Sequence, residues 1–428
     1  MLSNEIILIL FQNFLFFNIF LFPRIFKFRT IKLSIFDKAG INIIFFSNIL
    51  LFSSFFNFNY KYLFIAIVIF TLLSIIINFS EIKKKMNLSL IIFFILTFIL
   101  SINIASELTF DWDTKTFWYL KVVNFFQSKS IENLSLLPVP DWPHLGPFIW
   151  AFFWKFPFEF NEYLGRLFFN FFYVVSIFSI CETLSNKKLL NIIFSLLLIL
   201  LTYNYNFFSG EQDIFIFCVT IILTKISIFI FSNNIKNYDK TLMIFITILC
   251  FNILFWIKIE GIIFSFIILL AYFSFKILSK EQNYLIFFGF IICFVLKIFV
   301  SSYYGLSIDS KWFEFKQTTN LDLVSLILKL KILITYFIYY SLNLPIYSLI
   351  LTLLIITYFR KNKLNEHDKF LIFILILNFI FLILAFMLKS DDIEKQIRNS
   401  LKMFMFGSSG LYILLVVNLL SKFKISLK

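Results

Sequence analysis

E-L-T-F-D-W-D-T-K-T-F-W-Y-L-K-V (107–122), P-V-P-D-W-P-H-L-G-P-F-I-W (138–150) and E-Y-L-G-R (162–166) belong to one stretch unlike the rest of the chain. Between residues 107 and 166 lie five of the seven tryptophans, five of the seven prolines, one of the two histidines, and Asp111 and Asp113 two positions apart. The surrounding sequence is mostly Phe, Ile and Leu. Of 428 residues, 61% are hydrophobic and only 14% charged, with a mean hydropathy of +0.93. A soluble domain is roughly half apolar and about a quarter charged. Apolar runs of about 17 or more residues, repeated along the chain, therefore read as membrane spans.

Working outward from residues 107–166, spans are expected near 5–22, 41–58, 62–79 and 87–105 before it. After it they fall near 163–181, 189–208, 213–231, 241–257, 261–278, 284–300, 341–359, 369–388 and 403–420. The expected fold is all-α and polytopic, with about thirteen transmembrane helices. No basic segment precedes the first apolar run and no small-residue cleavage site follows it, so that run reads as an uncleaved span. Arg24, Lys27, Arg29 and Lys32 follow it, and E-I-K-K-K (81–85) follows the third span. Basic connections belong on the cytoplasmic side, which puts the N-terminus outside and makes 106–162 a long outer loop. Lys187, Lys188, Lys236, Lys240 and Lys280 fall in alternate connections, as that orientation requires. Loops this long and without a span of their own are commonly functional.

Three regions follow: 1–86, N-terminal spans; 87–300, a core that includes the outer loop; and 301–428, a C-terminal part. Within the loop, T-K-T-F-W-Y-L-K-V-V-N-F-F (114–126) is expected to form an amphipathic helix with its Trp and Lys side chains at headgroup depth. A second short helix is expected over 146–156. In the C-terminal part, 301–320 reads as a second outer loop. The stretch 321–340, with Lys329 and Lys331 in its apolar pattern, reads as interfacial. K-S-D-D-I-E-K-Q-I-R-N-S (389–400) reads as a third outer loop, and the tail 421–428 as cytoplasmic.

The net charge of +14 lies in short connections beside apolar runs, which is a membrane pattern and argues against a nucleic-acid partner. The 67 phenylalanines read as compositional bias, since Phe and Leu are near-equivalent against lipid. Cys181, Cys218, Cys250 and Cys293 lie in apolar stretches without a C-x-x-C pair and imply neither disulfides nor a metal cluster.

The chemistry-bearing residues gather at the outer ends of spans. Asp111 and Asp113 stand at the mouth of the fourth span, where one carboxylate can act as general base and the other position it or hold a cation. The same spacing also fits an ordinary solvated loop start. Glu211 and Asp213 interrupt the boundary between two spans, and Lys258 and Glu260 sit between two apolar runs with almost no loop. Ionisable groups at this depth face a cavity or a partner, or form a structural ion pair. Arg166, Arg398 and Lys402 lie toward the same side and suit an anionic group such as a lipid phosphate, or anchor to headgroups. His144, between Pro143 and Pro147, is a candidate base, ligand or shuttle, or a structural residue of a proline-rich turn. His367 falls in a cytoplasmic connection. Phosphate-binding glycine loops and zinc-protease or hydrolase motifs are absent from the sequence.

In this order and topology the motifs resemble those of the GT-C glycosyltransferase superfamily, and in particular bacterial members akin to the protein mannosyltransferase and aminoarabinose transferase group. The matching text is W-D-T-K-T-F-W-Y-L-K (112–121), V-P-D-W-P-H-L-G-P (139–147), G-R (165–166), G-E-Q-D (210–213) and K-I-E-G (258–261). The chain departs from the pattern at Val139, Trp142, His144, Glu211 and Gln212, and places four spans before the loop. The resemblance implies a polyprenyl-phosphate-linked sugar as donor and a lipid, glycan or protein acceptor. It implies transfer at the extracytoplasmic face of a bacterial inner membrane, with inversion at the sugar. It makes Asp113 the first candidate for the base, ahead of Asp111. Lys121, His144, Arg166, Asp213, Lys258, Glu260 and Arg398 become candidates for substrate binding. No cofactor is implied, and whether a divalent cation takes part is left open, because no full ligand set is present. Two other readings compete: a transporter or flippase of a lipid-linked substrate, and an enzyme like the O-antigen ligases and polymerases.

Overall fold

The computed structural model describes residues 2–56, 59–85, 87–107, 109–128, 130–182, 184–185, 187–231, 236–306, 323–360, 363–387 and 393–422. Most of 301–320 and the first residues of 389–400, both expected as outer loops, and the end of the tail lie outside the described residues.

Four long helices come first: α1 (Leu2–Leu21), α2 (Ile35–Phe55), α3 (Tyr60–Lys85) and α4 (Leu88–Ser106). The tryptophan-rich stretch then folds as a π-turn (Thr114–Trp118) running into α5 (Tyr119–Phe126), a 3-10 turn (Ile131–Leu136) and α6 (Leu145–Lys155). Next come α7 (Tyr163–Cys181), α8 (Lys188–Thr202), α9 (Asp213–Phe231), α10 (Asn237–Ile257), α11 (Glu260–Phe275) and α12 (Lys280–Tyr303). The chain closes with α13 (Leu323–Asn343), α14 (Pro345–Phe359), α15 (Glu366–Met387), α16 (Ile393–Ser409) and α17 (Ile413–Lys422).

Local chemistry fixes several boundaries. Ser34 caps α2 and Asp37 returns the bond to the Ser34 amide, while Ser279 and Gln282 do the same for α12. Pro345 stands in the first turn of α14, where its missing N–H is not needed, and turns the chain 93° from α13. If α14 stands across a bilayer, α13 lies along its face, the arrangement expected for 321–340. A second bend, of 50°, separates α16 from α17.

Among the described residues, nine helices are long and apolar enough to cross a membrane, or eleven if each bent pair makes one span. The expected count of thirteen is not reached on that criterion, because α8 and α11 have only 15 and 16 residues. A straight crossing takes about 20. The helices are not equivalent. The spanning window of α7 is 100% buried within the protein and that of α9 83% buried, so these two form the axis. The window of α3 is only 17% buried and that of α12 33%, leaving their apolar faces to lipid.

Polar side chains staple the axis to its neighbours. Asn13 of α1 donates to Ser101 Oγ of α4 at 3.0 Å, and Asn170 of α7 donates to the same oxygen at 2.9 Å. Asn252 of α10 donates to Asn48 of α2 at 2.8 Å. With no hydrophobic drive between helices in lipid, such bonds and close packing hold a bundle together. The four cysteines are buried and free.

Candidate active site

The chemistry collects at one end of the bundle, where α2, α4, α10 and α12 finish and α7, α9 and α11 begin. Four separate segments supply it. The chain leaving α4 brings Asp111 and Asp113. The turn after α8 brings Glu211 and leads into α9 at Asp213. The break between α10 and α11 brings Lys258 and Glu260. The C-terminal half of α16 closes one side.

The break is what aims Lys258. Its backbone is extended (φ −151°, ψ 161°) between two helices, and Nζ reaches Asp213 Oδ2 at 2.8 Å. The Asp213 carboxylate is 5% exposed and the lysine side chain 17%, so the pair is largely but not wholly sealed. On the other side of Asp213, a Cβ added to Gly407 would lie 3.5 Å from Oδ1. Phe406 holds α16 there, stacked between Phe207 and Phe217 with centroid distances of 3.6 and 4.7 Å.

Glu211 is buried just before α9, with Thr114 Oγ1 3.5 Å from its Oε1. Burial raises its carboxyl from the ordinary 4.5 to about 8. Lys258 opposes that shift, and Asp213, Asp113 and Asp111 reinforce it. Glu211 therefore carries its proton at neutral pH. Asp113 is half-buried. Burial raises its carboxyl above the ordinary range, Lys258 pulls it back, and Asp111 and Asp213 push it further up. A partly exposed carboxylate with a raised pKa, held beside a fixed ammonium, is suited to accept a proton from a bound hydroxyl. Asp111 is exposed and its Oδ1 accepts from the Trp112 amide at 2.8 Å.

Arg166, expected to bind substrate, is engaged within the protein. It is 1% exposed, and Nε and Nη2 donate to Glu162 at 3.2 and 2.7 Å while Nη1 donates to the Phe208 carbonyl at 3.3 Å. The guanidinium also lies 5.1 Å from the centre of the Phe110 ring. It thus ties the start of α7 to both segments that carry the acids, one residue before Asp111 and three before Glu211. That makes it a positioning residue with three of its five N–H groups engaged.

Lys121 and His144 also depart from expectation. The helix meant to float at headgroup depth is turned inward: α5 packs on α6, with Trp118 1% and Lys121 0% exposed. Lys121 Nζ donates to the carbonyls of Val139 and Trp142 at 2.9 and 2.5 Å. Burial lowers it to about 7, with Asp141 opposing and Lys297 adding to the fall. His144 Nε2 lies 3.0 Å from Ser54 Oγ, and its ring packs on Phe55, Phe125 and Trp256. Burial, then Lys121 and Lys297, drop it to about 3, so the imidazole is neutral. These two belong to a second cluster behind the first, joined to it by Glu260, whose charge acts on both Lys258 and Lys297.

Arg398 is not among the acids. It is exposed, bonded to Tyr336 Oη and Glu394 at 2.6 Å each. It lies nine residues before Gly407 on α16, about 13 Å along the axis. In the sequence Glu211 marks a span boundary without pointing to the site, and Lys297 carries no signal in its apolar run. Among the described residues no three His, Cys, Asp or Glu side chains converge closely enough to hold a metal ion. No protein-family model, curated protein or solved structure matches the chain.

Proposed function

We propose that this chain is a membrane glycosyltransferase that moves a sugar from a polyprenyl-phosphate-linked donor to an acceptor hydroxyl at the extracytoplasmic face. The observation that carries the reading is the meeting of Asp113, Glu211, Asp213 and Lys258, from three separated segments, at one end of an apolar bundle. Such a donor keeps its tail in lipid while its phosphate-linked sugar reaches a polar site at the membrane surface. It needs no nucleotide, because the phosphate already activates the anomeric carbon.

In this reading Asp113 takes the proton of the acceptor hydroxyl as its oxygen attacks the anomeric carbon. The bond from that carbon to the phosphate oxygen breaks, and the lipid phosphate leaves with the electron pair. Protonated Glu211 keeps one charge out of a crowded acidic site, and the Lys258–Asp213 pair fixes the cavity wall. Orientation is supported by the opposite end, where the connections carry Arg24, Lys27, Arg29 and Lys32, Lys187 and Lys188, and Lys236 and Lys240. Thirteen crossings result if α8 and α11 traverse the membrane together with the eleven longer units.

The broken pairs α13/α14 and α16/α17 favour a second reading, a transporter or flippase of a lipid-linked substrate, since interrupted helices line many transport sites. Radiolabelled polyprenyl-phosphate sugars supplied to membranes containing wild type, Asp113→Asn or Asp111→Asn separate the two. Transfer by wild type and its loss in Asp113→Asn support the enzyme. Lipid scrambling that is equal in all three, without sugar transfer, supports the transporter.

A further inference from the structure

We infer that the acceptor of this site is a saccharide, its ring lying on the exposed indole of Trp112 and its hydroxyls on the carboxylates of Asp111 and Asp113. Its part as acceptor rests on the glycosyltransferase reading; the saccharide platform rests on the residues themselves.

Among the described residues Trp118, Trp150 and Trp256 are no more than 1% exposed and Trp142 and Trp154 are half-buried, whereas Trp112 is 66% exposed. An irregular backbone holds it there. The Tyr119 amide donates to the Thr114 carbonyl, five residues back, and this wider π-turn brings Trp112 and Phe117 together. In a regular helix, at about 100° per residue, five positions would set them about 140° apart. Instead the Phe117 ring lies 5.4 Å from the indole and at 85° to it. Phe117 is itself 4.9 Å from Trp142, and Trp142 is 5.0 Å from the buried Trp118. A chain of aromatic rings rooted in the core thus supports one indole that stays open. Single π-turns are rare and gather at functional sites.

What flanks the ring specifies the ligand. Asp111 is exposed, with Oδ1 on the Trp112 amide at 2.8 Å, and the half-buried Asp113 follows, its carboxylate forming no hydrogen bond among the described residues. Ionised carboxylates are acceptors alone, and hydrogen bonds to them are among the strong ones. A pyranose has a face of C–H groups and a rim of several hydroxyls, so it can cover the indole and reach both acids. A lipid alcohol or a Ser or Thr side chain brings a single hydroxyl and leaves one carboxylate idle beside an uncovered ring. An indole serving only as a headgroup anchor would enter the acyl boundary, which two flanking carboxylates oppose. The sugar lies with one hydroxyl on Asp113, the group that takes its proton.

The test is saturation-transfer NMR on the full-length protein in a detergent without a sugar headgroup, with methyl glucoside, methyl galactoside and methyl mannoside as probes. At least one pyranoside is expected to bind wild type, with saturation strongest at its C–H groups. Trp112→Leu, which would anchor in lipid as well, should weaken that binding about ten-fold, and Trp112→Phe about three-fold. Asp111→Asn should weaken it about five-fold. Thermal unfolding should be unchanged in all three, because both side chains are exposed. With a polyprenyl-phosphate sugar as donor, Trp112→Leu should raise the acceptor KM and leave the donor KM unchanged, a split that a merely structural role would not give. Absence of saturation transfer to all three pyranosides, or equal binding by wild type and Trp112→Leu, overturns the platform. Sugar transfer to a Ser/Thr peptide or a polyprenol that Trp112→Leu leaves untouched overturns the saccharide as acceptor, with the glycosyltransferase reading standing. Trp112-dependent pyranoside binding without any sugar transfer by wild type sinks the glycosyltransferase reading and leaves the platform.

Discussion

Helix α9 carries a lysine–aspartate pair near each end, and the two pairs are built differently. Near the end opposite the site, Lys225 faces Asp37 at 3.5 Å, both side chains 4% exposed. Around that pair every partner is a structural element. Asp37 closes the cap of α2 and accepts from Ser179 Oγ at 2.6 Å, and Lys225 donates to the Ser179 carbonyl at 2.7 Å. Asp239, at the same end, likewise spends its carboxylate on the amides of Arg29, Thr30 and Ile31. At the site end, Asp213 makes a single 2.8 Å bond to Lys258, whose side chain is four times as exposed as Lys225. Asp113 and Glu211 crowd the pair, and neither closes a cap. The same two residue types serve as a rivet at one end and as part of a polar wall at the other. The number of structural bonds each carboxylate completes separates the two roles better than burial does.

The largest expected effect breaks the comparison at its most exposed member. On the proposed reading, Asp113→Asn keeps the shape and removes the base, so sugar transfer should fall by about 10²–10⁴-fold. Thermal unfolding should be unchanged, because the half-buried carboxylate completes no cap. Retained transfer in a well-folded Asp113→Asn protein removes Asp113 from the mechanism.

The second effect compares the pairs directly. Lys225→Met alone strands a buried Asp37 and should cost about 3–5 kcal/mol of stability, and Lys258→Met should cost less because water reaches the pair. The double replacements then diverge. Asp37→Asn with Lys225→Met should recover much of the stability and all of the transfer activity. Asp213→Asn with Lys258→Met should recover the fold while transfer stays depressed. Parallel recovery of activity in both doubles would falsify the functional distinction between the two ends.

Much of the architecture is legible in the sequence, and for a physical reason. Lipid imposes one length and one polarity on every crossing, so expected spans such as 163–181 and 213–231 coincide with α7 and α9. Asp113, Asp213 and Lys258 are legible too, because a charge at the rim of an apolar run is conspicuous. What a linear reading misses is direction and partnership. Lys225 and Lys297 sit inside apolar runs, where nothing in the neighbouring residues tells a buried pair from an isolated cation. The helix over 114–126 has the right amphipathic pattern, yet its polar Lys121 turns toward the carbonyls of Val139 and Trp142, which no helical periodicity encodes. Arg166 shows the same limit. Its charge suggested an anion, and three of its donors turn out to be occupied by Glu162 and Phe208.

The third effect uses Glu211. Its pKa is raised from 4.5 to about 8, so the folded state prefers the protonated acid. The stability this gives is fully present below pH 4.5 and is lost as the pH rises through 8. Glu211→Gln imitates the protonated form at all pH values. Melting temperatures of wild type and variant should therefore agree near pH 4.5, diverge between pH 4.5 and 8, and stay apart above pH 8, with the variant higher. Transfer activity should decline above pH 8 in wild type and not in Glu211→Gln. Asp113 sets the acidic limb in both, above the ordinary carboxylate range because its own pKa is raised.

The smallest effect is expected at Arg398, and its smallness is informative. Arg398 and Glu394 form a short pair, but their side chains are 61% and 46% exposed, and exposed pairs of this kind contribute little. Gly407, not Arg398, is the α16 residue that meets Asp213, and Arg398 lies more than two helical turns from it. On the proposed reading, Arg398→Ala should leave melting temperature and sugar transfer within experimental scatter, and a loss of transfer as large as that of Asp113→Asn would return Arg398 to the site.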